Sequence, residues 1–332
     1  MRHRTTSVSV SLLSSLTVLL VFGGAAAHAT TASAANRTPK LTHTGNAYPD
    51  HTINTSASSA TVATGRTGLK FVATFGSSIT TDPNAAAIKK GITDDLTTLG
   101  SLIATPVTVT IAFESVSTGL GGAATYYNDE PYTTYRADLK HQAAASDYDN
   151  RALKSLPPTT ANPVNGGPTV HMTLPLLRAT GETAAGNVGA PVDSTIFLNT
   201  SIMNLSRSRH PDPTKYDLRQ VAMHEIVEVL GAGGAGDSLL SSQVGPTDLF
   251  RYSADGVRSY TTDPTATAYF SINGGANNRG YFNQDSRGDY GDWSSDLNGR
   301  PQVQDAFSTP GVQLDLDNNE MIALDVVGYH LR

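Results

Sequence analysis

Three residues in the stretch AMHEIVEVLG (222–231) have the types and spacing to do chemistry: His224, Glu225 and Glu228. On a helix, positions i and i+4 lie one turn apart on the same face, so His224 and Glu228 can converge on one cation. Glu225 points about 100° round the axis, where it can reach a water beside that cation. This is the arrangement of the metal-binding pattern H-E-x-x-H, with the middle glutamate as general base and a glutamate in place of the second histidine. Zinc accepts glutamate oxygen as well as histidine nitrogen. A carboxylate ligand makes the ion a poorer Lewis acid and shifts preference toward metals that favour oxygen. Without a cation, the same carboxylates would need distant Arg or Lys partners, since none stands between Arg219 and Arg251.

The helix that carries these groups reads from about Lys215 to Leu230. Thr214 is placed to N-cap it, with Asp217 at N3 in a capping-box pattern, and Gly231 suits the C′ position. Leu218, Ala222 and Val229 share one face, and Met223, Ile226 and Leu230 another. A helix apolar all round is a buried one, and buried carboxylates must be paired, protonated or bound to metal.

The elements around it alternate. LKFVATF (69–75) reads as a strand, Asp82-Pro83 opens a helix to about Leu99, and 106–115 is a half-buried strand. GLGGAA (119–124) reads as a glycine-loosened edge or loop. Residues 134–144 suit a helix, 170–182 a strand and then a helix, and 194–200 a strand. This order predicts an α+β chain with helices packed on a mixed sheet. Residues 231–310 are rich in Gly, Asn, Asp and Ser with short aromatic runs, which predicts an irregular C-terminal subdomain. Asp317 and Glu320 form a capping-box pair at the head of a last helix ending at Gly328.

Composition narrows the function classes. The 332 residues carry a formal net charge of −6 and no Lys/Arg cluster after the N-terminus, which argues against nucleic acid as a partner. Arg2, His3 and Arg4 precede an apolar run from Val8 to Ala27, followed by the A-x-A sites Ala27-His28-Ala29 and Ala32-Ser33-Ala34. Residues 1–34 therefore read as a secretory signal peptide, and no other long apolar run predicts a membrane span. Residues 35–67, rich in Ser, Thr, Ala and Asn without hydrophobic period, read as a disordered linker or pro-segment. Residues 68–231 and 232–332 then form an N-terminal subdomain and a C-terminal one. The chain has no cysteine, which excludes thiolate catalysis and Cys-ligated zinc. No G-x-S-x-G elbow and no G-x-x-x-x-G-K-[ST] loop is present.

With these motifs on the page, VAMHEIVEVLG resembles the active-site helix of zincin metallopeptidases. His224, Glu225 and Gly231 match the extended metzincin pattern, Glu228 replaces its second histidine, and Gly234 stands where its third should be. More closely, the chain resembles a group of secreted, mostly bacterial metalloprotease-like proteins. Their helix reads HEI-x-EV-(L/M)-G, a DLFRYSA segment follows, and the chain closes near LDV-x-GY. The corresponding stretches are His224–Gly231, Asp248–Ala254 and Leu324–Tyr329, and FGSSITTDPNAAA (75–87), YFSINGG (269–275) and GDYGDW (288–293) also look like that group. The resemblance implies a metzincin-like zincin fold and a secreted zinc peptidase acting on protein or peptide substrates. The alternative is a non-catalytic secreted binding protein on a degenerate zincin scaffold.

Catalytic zinc usually takes three protein ligands and a water. Asp248, 20 residues past Glu228 in DLFRYSA, is the favoured third ligand. Asp237, His210 and His171 are weaker candidates, and Asp248 could instead partner Arg251 or cap a helix. Tyr252 could donate to a developing oxyanion or simply pack, and Met321 could lie under a metal or in the core. The oxygen-rich segment Asn273–Asn298 could hold Ca2+ or form solvated turns. An extended substrate is expected to add to the sheet edge near Gly119–Ala124.

Overall fold

Phe71, Ala73 and Phe75 point inward from a strand whose alternate side chains face outward, and Val109, Ile111 and Phe113 do the same from its neighbour. This alternation, legible in the sequence, builds the centre of a mixed sheet. The computed structural model describes residues 38–47, 58–62 (main chain only), 68–142, 146–233, 239 and 243–332. The expected signal peptide and Asp237 lie outside the described residues.

In chain order the first strands are β1 (Lys40–Gly45), β2 (Ser58–Val62), β3 (Lys70–Phe75), β4 (Thr108–Ser115), β5 (Gly121–Pro131), β6 (Thr169–Thr173) and β7 (Ser194–Leu198). They form one seven-stranded sheet in the order β1-β5-β7-β4-β3-β2, with β6 also paired to β5. The pairs β3–β4 and β4–β7 are parallel, and the other pairs are antiparallel. The helices are α1 (Ser77–Thr80), α2 (Ala85–Leu102), α3 (Tyr132–Gln142), α4 (Asp147–Lys154), α5 (Leu174–Thr180), α6 (Thr183–Gly186), α7 (Leu218–Val229) and α8 (Asn318–Val327). The expected α+β class with a mixed sheet is what the chain forms. No helix among the described residues is long and apolar enough to cross a membrane.

Helix α7 is buried on every side, as its sequence requires, with every residue except Arg219 inaccessible. It lies between α2 and strands β5 and β7. From α2, Ile88, Ile92, Leu96 and Leu99 turn inward at helical spacing, and Arg219 reaches Asp95 at 2.8 Å. Past the helix end Gly231 adopts φ +100°, the left-handed C′ conformation that glycine supplies without strain.

Four expectations need correction. The segment 35–67, expected to be a disordered linker or a pro-segment, is not disordered throughout, because it contributes β1 and β2 to the sheet. Gly119–Ala124 is not a free edge: β5 has β1 on one flank and β7 on another. Helix α7 starts later than expected and is capped by Asp217, which accepts from the Arg219 amide, while Thr214 donates to Asp212 instead. Likewise α2 begins after Asn84 rather than at Asp82-Pro83, since the Asp82 carboxylate folds back on the Asn84 amide.

Beyond β7 short strands replace long ones: β8 (Met203–Asn204) pairs with β9 (Tyr216–Asp217) before α7, and β10 (Arg251–Ala254), β11 (Val257–Arg258), β12 (Tyr269–Phe270) and β13 (Gly280–Tyr281) form a small sheet after it. This part is irregular, as its composition predicts. The described residues, this part among them, fall in one compact unit within Ala32–Arg332. The chain end explains why: α8 packs on α4, and Leu331 bridges back to Ile103 beside α2. The capping box expected at Asp317 and Glu320 is present.

Candidate metal centre

Helix α7 delivers His224 and Glu228 one turn apart, as the spacing predicts, with His224 Nε2 3.7 Å from Glu228 Oε1. The third member is Asp292, whose Oδ2 lies 3.5 Å from the same nitrogen. Two ligands each about 2.1 Å from a tetrahedral ion lie about 3.4 Å apart. Both separations are close to that edge. Among the described residues, His224, Glu228 and Asp292 are the one group of three acidic or imidazole ligands gathered this closely.

The surroundings orient the ligands. His224 Nδ1 lies 3.0 Å from the Val303 carbonyl. A carbonyl only accepts, so Nδ1 carries a proton and Nε2 is the nitrogen that faces the group, free to bind a cation once its own proton is displaced. Gln304 Nε2 donates to Asp292 Oδ1 at 3.2 Å, leaving Oδ2 turned to His224. Thr44 donates to Glu228 Oε2 at 2.7 Å, and Glu228 Oε1 has no hydrogen-bond partner. Glu225 is buried with Oε2 equally unpartnered. Such orphaned buried oxygens are costly unless a cation or water meets them. Gly121 lets β5 run close over the helix here. A Cβ on it would come within 2.6 Å of Glu225 Oε1 and 2.5 Å of Val221 Cγ1.

The electrostatics are those of a site short of positive charge. Burial raises the pKa of Glu225 well above the usual carboxylate range, and the charge of Glu228 raises it further. Glu228 is raised by burial, against the pull of the His224 imidazole beside it. Asp289, near the group on the same loop as Asp292, is raised well above its usual value by burial and then by Glu228 and Asp292. Burial disfavours charge on His224, but Asp292 and Glu228 outweigh it and lift the imidazole well above its normal value. A divalent cation held by His224, Glu228 and Asp292 would offset two of these negative charges and favour the ionised form of the acids beside it.

Comparison with protein-family models, curated proteins and solved structures gave no match in any of the three. What the chain does has to be read from the residues themselves.

Asp248 is corrected as the third ligand. It sits in a tight turn, Thr247–Phe250, where its Oδ2 accepts from the Gly245 amide at 2.8 Å, and it stands outside the ligand group. Burial pushes its carboxyl up to about 6, against the opposing field of Arg251. His210 is exposed. His171 is buried but engaged, 2.8 Å from Asp129 and stacked on Tyr127. Tyr252 is a packed aromatic under the Arg258 guanidinium, and Met321 is half-buried on α8. Within Asn273–Asn298, Asn273, Asn283 and Asn298 bond neighbouring main chain, and the acids that matter are Asp289 and Asp292.

Asp292 was missed because it is reached only through tertiary packing. Its loop is held by Arg251, fully buried, which donates to the Tyr290 carbonyl at 2.6 Å, the Asn283 carbonyl at 3.2 Å and Gln284 Oε1 at 2.6 Å. Trp293 stacks against Phe282 and Phe270 and exchanges main-chain bonds with Gln304 and Ala306. One signal was available. In GDYGDW an aspartate adjoins the only tryptophan of the chain, and a tryptophan bound for the core carries its neighbour inward.

Proposed function

We propose that the chain is a secreted, zinc-dependent peptidase with a zincin-type arrangement, in which His224, Glu228 and Asp292 hold the metal. The observation that carries this reading is that Glu228 and Asp292 each approach His224 Nε2 at close to a tetrahedral edge, beside a buried Glu225 whose Oε2 is unpartnered. One bound divalent ion supplies Lewis acidity toward a peptide carbonyl and toward water. Glu225 accepts the proton of the attacking water at its free Oε2 and returns it to the departing amine nitrogen. Next to a cation its carboxylate form is restored, so the group is a base at neutral pH. The Val303 carbonyl keeps His224 in the tautomer that binds metal, and Gln304 fixes the Asp292 rotamer.

Metal analysis of the purified full-length protein, with turnover of a diverse peptide library, tests the proposal. We expect one transition metal per chain and a Glu225→Gln variant that keeps the metal while losing about 10²–10⁴-fold in turnover, the usual worth of a general base. Protein without stoichiometric metal would sink the metal site. Metal retained with turnover unaffected by Glu225→Gln would sink the peptidase.

A further inference from the structure

The strand β1 occupies the flank of β5 to which an extended substrate is expected to add. It runs antiparallel to β5 with Lys40 opposite Tyr127 and Gly45 opposite Gly122, a pairing of the kind an extended peptide makes with a sheet edge. Its last residues then cross the metal group. Thr44 donates to Glu228, the Gly45 amide donates to Asp289 Oδ2 at 2.9 Å, and Gly45 and Asn46 line the same cleft as His224 and Glu225. The Asn46 and Ala47 amides both donate to the Gly121 carbonyl, and the Leu120 amide donates to Asn46 Oδ1.

We propose that residues Lys40–Ala47 are a self-inhibiting strand: they fill the peptide edge of β5 over the metal group and must leave before a peptide substrate can enter. This rests on the peptidase reading above.

The fit is main chain against main chain. A Cβ on Gly122 would come within 2.6 Å of the Ala47 carbonyl oxygen, and one on Gly45, which sits at φ +71°, within 2.6 Å of the Gly121 carbonyl oxygen. The strand is held by backbone approach and by polar side-chain contacts, with Lys40 2.6 Å from Asp129, Thr42 3.4 Å from His171 and Thr44 on Glu228, while its apolar contacts are few. Leu41 is 47% exposed, and Ala47 packs only into a small cluster with Ala124 and Phe197. Such contacts alone make a weak ligand. A segment on the same chain binds as though present at about millimolar concentration, so weak contacts suffice for occupancy.

Gly45→Val in the full-length protein is the test, because the new side chain has no space while β1 is seated. We expect the variant to keep its metal, to turn over the peptide library about tenfold faster if the strand covers the site about nine-tenths of the time, and to bind a labelled peptide KLTHTGNA that wild type does not bind. That peptide should inhibit the variant, and its Gly→Val counterpart should not. Asn46→Pro, which removes the amide donated to Gly121, should act in the same direction. Unchanged or lower turnover in both folded variants, with no peptide binding, would show β1 to be a fixed strand and overturn the proposal, as would failure of both variants to fold. If neither wild type nor variant cleaves anything but the variant alone binds the peptide, the peptidase reading falls and the displaceable strand stands.

Discussion

The two halves of the metal group are built in opposite ways. Helix α7 sets His224 and Glu228 by its own period, so their separation follows from four residues of sequence. The loop carrying Asp292 has no period, and its shape comes from Arg251 and Gln304 reaching it from elsewhere and from the burial of its own Trp293. Local geometry is robust to change at a distance, whereas a ligand on a loop is only as accurate as the contacts that grip it.

The largest test of that difference is ligand removal. Glu228→Ala and Asp292→Ala should each weaken metal binding by more than about 100-fold, exceeding the ten- to hundredfold that loss of an outer partner costs. Asp248→Asn should leave affinity unchanged. Chelator competition reads all three. Equal metal affinity in wild type and Asp292→Ala would erase the loop from the site.

Stability should separate the two halves next. Trp293→Ala opens the packing under the loop and should cost about 3–5 kcal/mol in denaturant unfolding. On the helix side Asp217→Ala removes the N-cap and should cost about 1 kcal/mol, or somewhat more through its bond to Arg207, while Thr214→Ala should cost less than about 0.5 kcal/mol. A larger loss at Thr214 than at Asp217 would place the helix start where the sequence alone puts it.

The smallest effect concerns pH. Asp305, on the loop side, has its carboxyl pushed by burial up to about 7, against the bond it accepts from the Gln302 amide. The folded protein therefore holds a proton that the unfolded chain releases near pH 4, so this group's contribution to stability falls as pH rises from about 4 to about 7 and is level above. Asp305→Asn should flatten that fall in a melting series from pH 5 to 8. A slope identical to wild type would show that Asp305 is ionised in the folded state throughout.

The same division governs what the sequence discloses. The burial of α7, the one-turn spacing of His224 and Glu228 and its Gly231 terminus were legible because all three are local, and so were β3, β4 and the capping box of α8. Asp292 was not, since nothing in GDYGDW tells how far back the loop folds. Strands β1 and β2 were illegible for another reason. They join the sheet at edges already made by β5 and β3, through main-chain pairing that needs no hydrophobic pattern in KLTHTG or SSATV. The glycines at 119–122, which read as looseness, instead allow close approach from both sides.

Arg251 has a consequence for how such a site can vary. It holds the loop chiefly by carbonyl oxygens, which every residue type possesses, and leaves the loop's own side chains to other uses. A histidine or glutamate could replace Asp292 without disturbing what Arg251 grips. The ligand set on this side is thus open to exchange one residue at a time, and with it the choice of metal.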